Sequence, residues 1–194
     1  MEEQQRIAVI GSPGGGKSTL ATALADATGL PLIHLDREHW QAGWTEPDKA
    51  AWLAHCDRLV AGTQWVIDGN YGSSLPVRLS RATLVVWLDL PTRVCLLGAI
   101  RRAWRFRGGG RPDMADGCPE RFDLAWLAFL CYIAAFRRRH RPAIAARLAA
   151  SRVRVVHLTS TAERAAFLGR LESDPADPKL LPGKSRGPGS GCCD

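Results

Sequence analysis

Residues 11–18 read Gly-Ser-Pro-Gly-Gly-Gly-Lys-Ser, which matches every fixed position of the phosphate-binding pattern G-x-x-x-x-G-K-[ST]. Residues 7–10 precede this stretch and have the composition of a buried parallel strand, and residues 18–28 carry apolar side chains at helical spacing. A strand, a glycine turn and a helix in this order are the context that the loop requires. The sequence therefore predicts a binding site for a nucleoside triphosphate.

The residue types of this loop suit phosphate oxygens. Glycines let successive backbone N–H groups converge on the oxygens, and the start of a helix adds partial positive charge. Lys17 is expected to reach the β- and γ-phosphates, and the Ser18 hydroxyl to bind Mg²⁺. We therefore predict ATP and Mg²⁺ as cofactors. The residues predicted to bind the nucleotide are Gly11, Ser12, Pro13, Gly14, Gly15, Gly16, Lys17, Ser18 and Thr19.

The composition is typical of a globular domain outside the membrane. The chain has 194 residues, of which 46% are hydrophobic and 23% are charged. Its first residues are acidic and polar, so we expect no signal peptide, and its longest apolar run, 124–136, is too short to span a bilayer. The six cysteines include no C-x-x-C pair. We expect a cytoplasmic protein without membrane contact, and the sequence indicates no oligomeric state.

Hydrophobic patterns predict strands and helices that alternate along the chain. The predicted strands are 7–10, 32–36, 65–69, 83–88 and 153–158. The predicted helices are 18–28, a helix from Thr45 or Asp48 to 59, and 92–104, 123–140, 142–149 and 162–171. Such alternation is typical of an α/β domain with a parallel sheet and helices on both faces.

The predicted domain extends over residues 1–172. Within it, we expect residues 36–62 to form an insert on the side of the phosphoryl acceptor. Residues 105–122, which are rich in Gly, Arg, Pro and Asp, are expected to form a lid. Residues 173–194 carry many prolines and glycines and few apolar side chains, and we expect a disordered tail there.

Three carboxylates, those of Asp36, Asp68 and Asp89, each end a predicted strand. Ligands of parallel sheets bind at these strand ends, so all three side chains could face the phosphate loop. Asp68 occupies the position of a Mg²⁺-binding carboxylate, although a turn aspartate before glycine has the same pattern. Two roles are open for Asp36: it orients or deprotonates a hydroxyl group of the acceptor, or it has a structural role. Asp89 is expected to be structural. His34, Asp36 and His39 could be taken for a metal cluster, but no fourth ligand is evident and His39 is expected in a loop, so no metal site is expected there.

The net charge of +7 is concentrated in one part of the chain, because many of the arginines lie between residues 101 and 141. Arginines near a phosphate loop typically neutralise the transferred phosphoryl group. We predict catalytic roles for Arg101, Arg102 and Arg137, together with Lys17 and Asp36. The run 137–141 also fits a solvated helix end or a nucleic-acid surface.

Two tryptophans, Trp40 and Trp44, flank Gly43 within the expected acceptor-side insert. Their rings either stack on a base or ring of the acceptor, or form a small core of the insert itself. The sequence leaves both alternatives open.

Several segments together resemble the adenylate-kinase-like proteins described as DNA topology modulation proteins. These segments are 11–19, His34-Leu35-Asp36, Gly43-Trp44, 65–71, 87–91 and 111–121. The resemblance covers roughly residues 6–160 and implies a P-loop fold whose five parallel strands lie in the order 2-3-1-4-5, with a small lid. It also implies that Asp68 holds Mg²⁺ through water and that Arg101 and Arg102 enter the lid.

The chain differs from adenylate kinases on the acceptor side. Asn70 and Tyr71 stand where those enzymes carry Phe-Pro-Arg, and residues 36–62 do not contain their AMP-binding sequence. We expect Mg-ATP-dependent phosphoryl transfer to a nucleoside monophosphate or to a small hydroxylated metabolite. The alternative is a protein associated with DNA that binds or hydrolyses ATP. A GTPase is not expected, because no Asn-Lys-x-Asp segment occurs.

Overall fold

The computed structural model describes residues 4–107, 109, 111–119 and 122–174, and all structural statements below refer to those residues. Strands and helices alternate along the chain as the sequence predicts. The elements are β1 (Gln5–Gly11), α1 (Lys17–Thr28), β2 (Leu32–His34), α2 (Leu35–His39), α3 (Lys49–Leu59), β3 (Gln64–Asp68), α4 (Leu75–Arg81), β4 (Leu84–Leu88), α5 (Thr92–Arg105), α6 (Leu124–Arg139), α7 (Arg141–Ala150), β5 (Arg154–Leu158) and α8 (Thr161–Ser173).

The five strands form one parallel sheet in the order β2-β3-β1-β4-β5, which confirms the predicted order 2-3-1-4-5. β1 lies at the centre of the sheet. Its Val9 is in register with Asp68 of β3, and its Gly11 is in register with Leu88 of β4. The loop after β1 therefore leaves the middle of the sheet, and the carboxyl ends of the other strands lie on both sides of it.

The core consists of two apolar layers, one on each face of the sheet. Ile7 and Val9 of β1 belong to the layer that contains buried side chains of α1, α5, α6 and α8. Ala8 and Ile10 belong to the opposite layer, which contains buried side chains of α3, α4 and α7. Because successive strand residues point to opposite faces, both sides of β1 are buried, as expected for a central parallel strand.

The structure differs from the sequence-based prediction between β2 and β4. β2 ends at His34, and Asp36 lies in the first turn of α2, where its charge favours the start of the helix. The short helix α4 was not predicted, since seven residues with one buried pair, Leu75 and Leu79, give too little periodicity. Asp48 caps α3, because its carboxylate accepts hydrogen bonds from two backbone N–H groups.

Two predicted segments lie partly outside the described residues. The predicted lid includes residues 108, 110, 120 and 121, which are not described, and most of the predicted tail is residues 175–194. α8 continues to Ser173, the first residue of that predicted tail. Within the described ranges, no helix has the length and apolar character needed to cross a membrane.

Candidate active site

The phosphate loop connects β1 to α1. Gly16 precedes the helix in a left-handed conformation (φ +85°), and no side chain caps the first N–H groups of α1, so these donors are available to an anion. Lys17 Nζ donates a hydrogen bond to the Ser12 carbonyl oxygen at 3.3 Å. Burial lowers the pKa of Lys17, and the nearby carboxylates of Asp36 and Asp68 partly oppose this effect.

Helix α5 lies directly against the backbone of this loop. A Cβ atom added to Gly98 would collide with the Gly14 carbonyl oxygen, and one added to Gly14 would collide with the Cys95 carbonyl oxygen. The two backbones approach closely only because both positions are glycine. α5 also carries Arg101 and Arg102, which line the same cavity as the loop. Packing of the helix thus places both arginines in the same cavity as the phosphate loop.

Asp68 and His34 form a pair at the ends of neighbouring strands. They are in register across β3 and β2, and His34 Nδ1 lies 2.6 Å from Asp68 Oδ1. Burial opposes a charge on His34, but the hydrogen bond and the charge of Asp68 outweigh it and raise the pKa of His34. The imidazole lines the cavity, whereas the Asp68 side chain is only 6% exposed. Of this pair, only His34 is among the residues that line the cavity.

Asp36 is held by the turn that follows β3. The Tyr71 hydroxyl donates a hydrogen bond to Asp36 Oδ1 at 2.9 Å. The buried Arg78 fixes this turn, because its guanidinium donates to the carbonyl oxygens of Gly69, Asn70 and Tyr71 at 2.8, 3.1 and 3.2 Å. Burial lowers the pKa of Arg78 to about 10. The buried Arg78 thus positions Tyr71, and Tyr71 in turn positions Asp36.

Residues 111–119, called the strap below, pack on the predicted acceptor-side insert. Three hydrogen bonds join the strap to residues 41–44. They run from Gly43 N to Gly117 O (3.0 Å), from Trp44 Nε1 to Pro119 O (3.3 Å) and from Cys118 Sγ to Gln41 O (3.2 Å). The strap and the insert therefore form one connected wall.

The start of the strap contacts both Asp36 and the phosphate loop. Arg111 Nε lies 3.1 Å from Asp113 Oδ1, and Arg111 Nη2 lies 3.9 Å from Asp36 Oδ2. Burial would raise the pKa of Asp113, but Arg111 and the Ser18 hydroxyl outweigh it and lower that pKa below its usual range. Asp113 thus lies between the strap arginine and the phosphate loop.

One cavity of about 1410 Å³ brings most of the predicted site residues together. From the predicted set, its lining includes Pro13, Gly14, Gly16, Lys17, Ser18, Thr19, Asp36, Arg101 and Arg102. Gly11, Ser12 and Gly15 are buried within the loop. Trp40 and Trp44 also line the cavity, in contact with each other at a centroid distance of 5.4 Å.

The structure does not bring Arg137 to this cavity. Arg137 Nε lies 3.5 Å from Asp89 Oδ1, while Arg141 Nε and His157 Nε2 lie 2.7 and 3.2 Å from Asp89 Oδ2. Asp89 is buried at the end of β4 and collects these groups from α6, α7 and β5. This geometry indicates that Asp89 and Arg137 connect elements of the fold.

Several residues of the site were not found from the sequence. Asn70 Oδ1 accepts a hydrogen bond from Gly11 N at 3.1 Å, and Arg164 Nη1 of α8 donates to Gly15 O at 2.9 Å. Asp113 and the partnership of His34 with Asp68 were also missed. Among the residues that were missed, the sequence drew attention only to Asn70, because residues 70–71 differ from the adenylate kinases. The other contacts join residues that are far apart in the chain, so no pattern of neighbouring residues could predict them.

The side chains near Ser18 fit a Mg²⁺ ion that arrives with a nucleotide. Mg²⁺ prefers oxygen ligands and is usually held by one or two carboxylates, phosphate oxygens and water. The Ser18 hydroxyl and the Asp113 carboxylate supply oxygen atoms at the loop, and Asp68 is paired with His34, which lines the same cavity. No cluster of three or more His, Cys, Asp or Glu side chains suited to a metal occurs in the described part of the chain.

The sheet order, the glycine-packed loop and the cavity above it define a P-loop kinase-like fold. Two solved structures share this fold over most of their length. A gluconokinase from Sinorhizobium meliloti 1021 is 20% identical, with 88% of this chain and 94% of that chain covered and a TM-score of 0.50. A shikimate kinase from Bacteroides thetaiotaomicron is 18% identical, with 87% and 96% covered and a TM-score of 0.52. The sequence matches no protein-family model and no curated protein.

Proposed function

We propose that this protein transfers the γ-phosphoryl group of Mg-ATP to a hydroxyl group of a small acceptor. The observation that carries the proposal is the single cavity in which the phosphate loop and its arginines face the Asp36–Tyr71 pair. Phosphoryl transfer needs little covalent help from protein, and the main requirements are positioning and neutralisation of charge. Both requirements are met by groups that line this cavity.

On the nucleotide side, the loop N–H groups and Lys17 bind the phosphates, and Arg101 and Arg102 neutralise the charge that develops on the transferred group. Ser18, with Asp113 and Asp68, would hold Mg²⁺. When bound, the ion would supply positive charge that offsets the charge of the phosphates. Arg137 has no role in this proposal, because it pairs with Asp89 away from the cavity.

On the acceptor side, Asp36 accepts a hydrogen bond from the acceptor hydroxyl and orients its oxygen toward the γ-phosphorus. A bond forms between that oxygen and phosphorus, the bond from phosphorus to the ADP oxygen breaks with its electron pair, and the hydroxyl proton passes to Asp36. Tyr71 keeps the carboxylate in place through its own hydrogen bond. In a loose transition state, orientation by such a carboxylate contributes more than early proton removal.

The test is an ADP-formation screen over nucleotides, hydroxylated metabolites and DNA. We expect ADP formation that depends on an added acceptor and falls about 100-fold or more in Lys17→Ala, the typical cost of a lost charge-stabilising donor. Lys49→Ala is the matched control, because Lys49 is exposed at the start of α3. Chelation of Mg²⁺ should abolish turnover, and added Mg²⁺ should restore it.

The screen also addresses the DNA-associated alternative that the sequence resemblance suggests. That alternative needs the basic run 137–141 to face DNA, and it predicts DNA-stimulated hydrolysis that is strongly salt-dependent. In the structure, Arg137 and Arg141 are paired with Asp89, which leaves fewer free charges on this surface. ADP formation stimulated by DNA and by no small acceptor would contradict the kinase proposal.

A further inference from the structure

The two halves of the cavity differ in the charge of their lining. The half around the phosphate loop is lined by basic side chains: Lys17, Arg101, Arg102, Arg105 and Arg164. The other half, called the acceptor half below, is bordered by the insert, the strap, the turn after β3 and α7. Within the described residues, its charged lining includes Asp36, Glu46, Arg111 and Arg147. Asp113 lies between Arg111 and the phosphate loop, on the border of the two halves, and Asp123 also lines the cavity. Carboxylates thus offset the guanidinium groups in the acceptor half.

The guanidinium groups of the acceptor half already have partners. The Arg111 side chain is 4% exposed. It forms ion pairs with two carboxylates, from Nε to Asp113 Oδ1 at 3.1 Å and from Nη2 to Asp36 Oδ2 at 3.9 Å. Arg147 Nη1 donates to the Gly72 carbonyl oxygen at 3.2 Å. An acceptor that carried a phosphate would have to displace Asp113 from Arg111 and lie among like charges in a partly buried site. Such repulsion and desolvation select against a dianionic acceptor.

The polar groups of the acceptor half suit hydroxyl groups instead. Asp36 keeps 42% of its side chain exposed, although Tyr71 already donates to Oδ1. Its remaining lone pairs can accept hydrogen bonds from hydroxyl donors of a ligand. A cationic amine would also contact a carboxylate there, but the basic side chains that line the adjoining half would repel its positive charge and disfavour its binding.

The aromatic lining suits the flat face of a ring. Trp40 and Trp44 are half-buried and meet at an interplanar angle of 71°, so they form an aromatic corner in the cavity wall. Trp44 has φ +64°, the sole positive φ of a non-glycine residue in the described chain. A bulky residue in this conformation costs about 1–3 kcal/mol, and such strain concentrates at ligand-binding sites. In this conformation the indole N–H donates a hydrogen bond to the Pro119 carbonyl oxygen of the strap.

We infer that the acceptor is an uncharged, polyhydroxylated ring, whose hydroxyl groups bind Asp36 and whose C–H face packs on Trp40 and Trp44. A sugar and a nucleoside share this chemistry, whereas a nucleoside monophosphate does not. The inference rests on the proposed kinase function and names its class of substrate.

The test uses pairs of acceptors that differ by a phosphate. Glucose is compared with glucose 6-phosphate, and adenosine with AMP, at saturating Mg-ATP; glucosamine is added as a cationic ring. We expect kcat/KM to be at least 10-fold higher for the uncharged member of a pair, and the two pairs distinguish a sugar from a nucleoside. Preference for a phosphorylated or cationic member overturns the inference but leaves the kinase proposal intact, because ADP formation still depends on an acceptor.

Equilibrium binding covers the case of slow turnover. Each ring is titrated into the protein loaded with a non-hydrolysable ATP analogue, and tryptophan fluorescence reports binding. Uncharged rings that neither bind nor react overturn the inference. If no acceptor of any kind stimulates ADP formation, and wild type and Lys17→Ala bind the ATP analogue equally, the kinase proposal itself fails.

Trp44→Gly separates a binding role from a structural one. Glycine adopts φ +64° without strain, and this relief opposes the loss of the indole hydrogen bond to the strap and the added flexibility of the unfolded chain. We therefore expect a Tm close to that of the wild type, unchanged affinity for the ATP analogue and a KM for the uncharged ring raised about 10-fold or more. A lower Tm with an unchanged acceptor KM would show that the two tryptophans form only a small core of the insert. Asp36→Asn should lower kcat for the same ring while ATP-analogue affinity is retained.

Discussion

The two halves of the cavity are built in different ways. The nucleotide half is built mainly from backbone: consecutive glycines, the start of α1 and a helix packed against the loop at Gly98. The acceptor half is built from side chains of the insert, the turn after β3, the strap and α7, which meet through single hydrogen bonds and ion pairs. A backbone site depends on a short local sequence, whereas a side-chain site depends on tertiary contacts and changes readily with a few substitutions.

The largest effect is expected where helix α5 touches the phosphate loop. In Gly98→Ala, the new methyl group meets the Gly14 carbonyl oxygen, so the loop or the helix must shift. We expect a loss of about 3 kcal/mol in ATP binding, or about 100-fold in affinity, measured by titration calorimetry.

Gly169→Ala is the matched control for this substitution. Gly169 also lies inside a helix, but a Cβ there meets nothing within 4 Å. Alanine should stabilise α8 by about 0.5–1 kcal/mol and leave ATP affinity unchanged. Equal ATP affinity in the two variants would show that the close contact of α5 with the loop does not shape the nucleotide half.

A smaller effect, confined to the acceptor half, is expected for Tyr71→Phe. The substitution removes the hydrogen bond to Asp36, and bonds to charged groups contribute about 1.5–3 kcal/mol. We expect kcat/KM for the acceptor to fall about 10-fold, with ATP affinity unchanged. Tyr132→Phe is the control, because the Tyr132 hydroxyl makes no hydrogen bond within the described residues although the ring lines the same cavity. A comparable loss in both variants would contradict a specific role for Tyr71.

The smallest effect is expected at the contact between strap and insert. Gly117 and Gly43 both have φ +77°, so alanine strains the backbone equally at the two positions. A Cβ on Gly117 would additionally lie 2.9 Å from the Ala42 Cβ, whereas one on Gly43 meets nothing within 4 Å. Acceptor KM should therefore rise about 5-fold more in Gly117→Ala than in Gly43→Ala, a difference of about 1 kcal/mol. Identical steady-state kinetics would show that the strap does not shape the acceptor half.

The same contrast explains what could be predicted from the sequence. The fold and the phosphate loop were predicted because strand periodicity and the glycine pattern are local signals. α4 was missed because it is short, and Asp36 was placed at a strand end because β2 has three residues. The links of His34 to Asp68, of Asp113 to the loop and of Arg137 to Asp89 join residues 34, 95 and 48 positions apart, and no local rule encodes such pairings.

The strap also has a consequence for the timing of the proposed phosphoryl transfer. Its three hydrogen bonds to residues 41–44 join it to one wall of the cavity, and we expect the entrance on that side to widen when all three break. At about 1 kcal/mol for each bond, the open form is populated at about 1% or less. Opening of this kind occurs on the microsecond-to-millisecond scale and often limits the release of products. We therefore expect a burst of phosphorylated product in the first turnover, followed by a slower steady state.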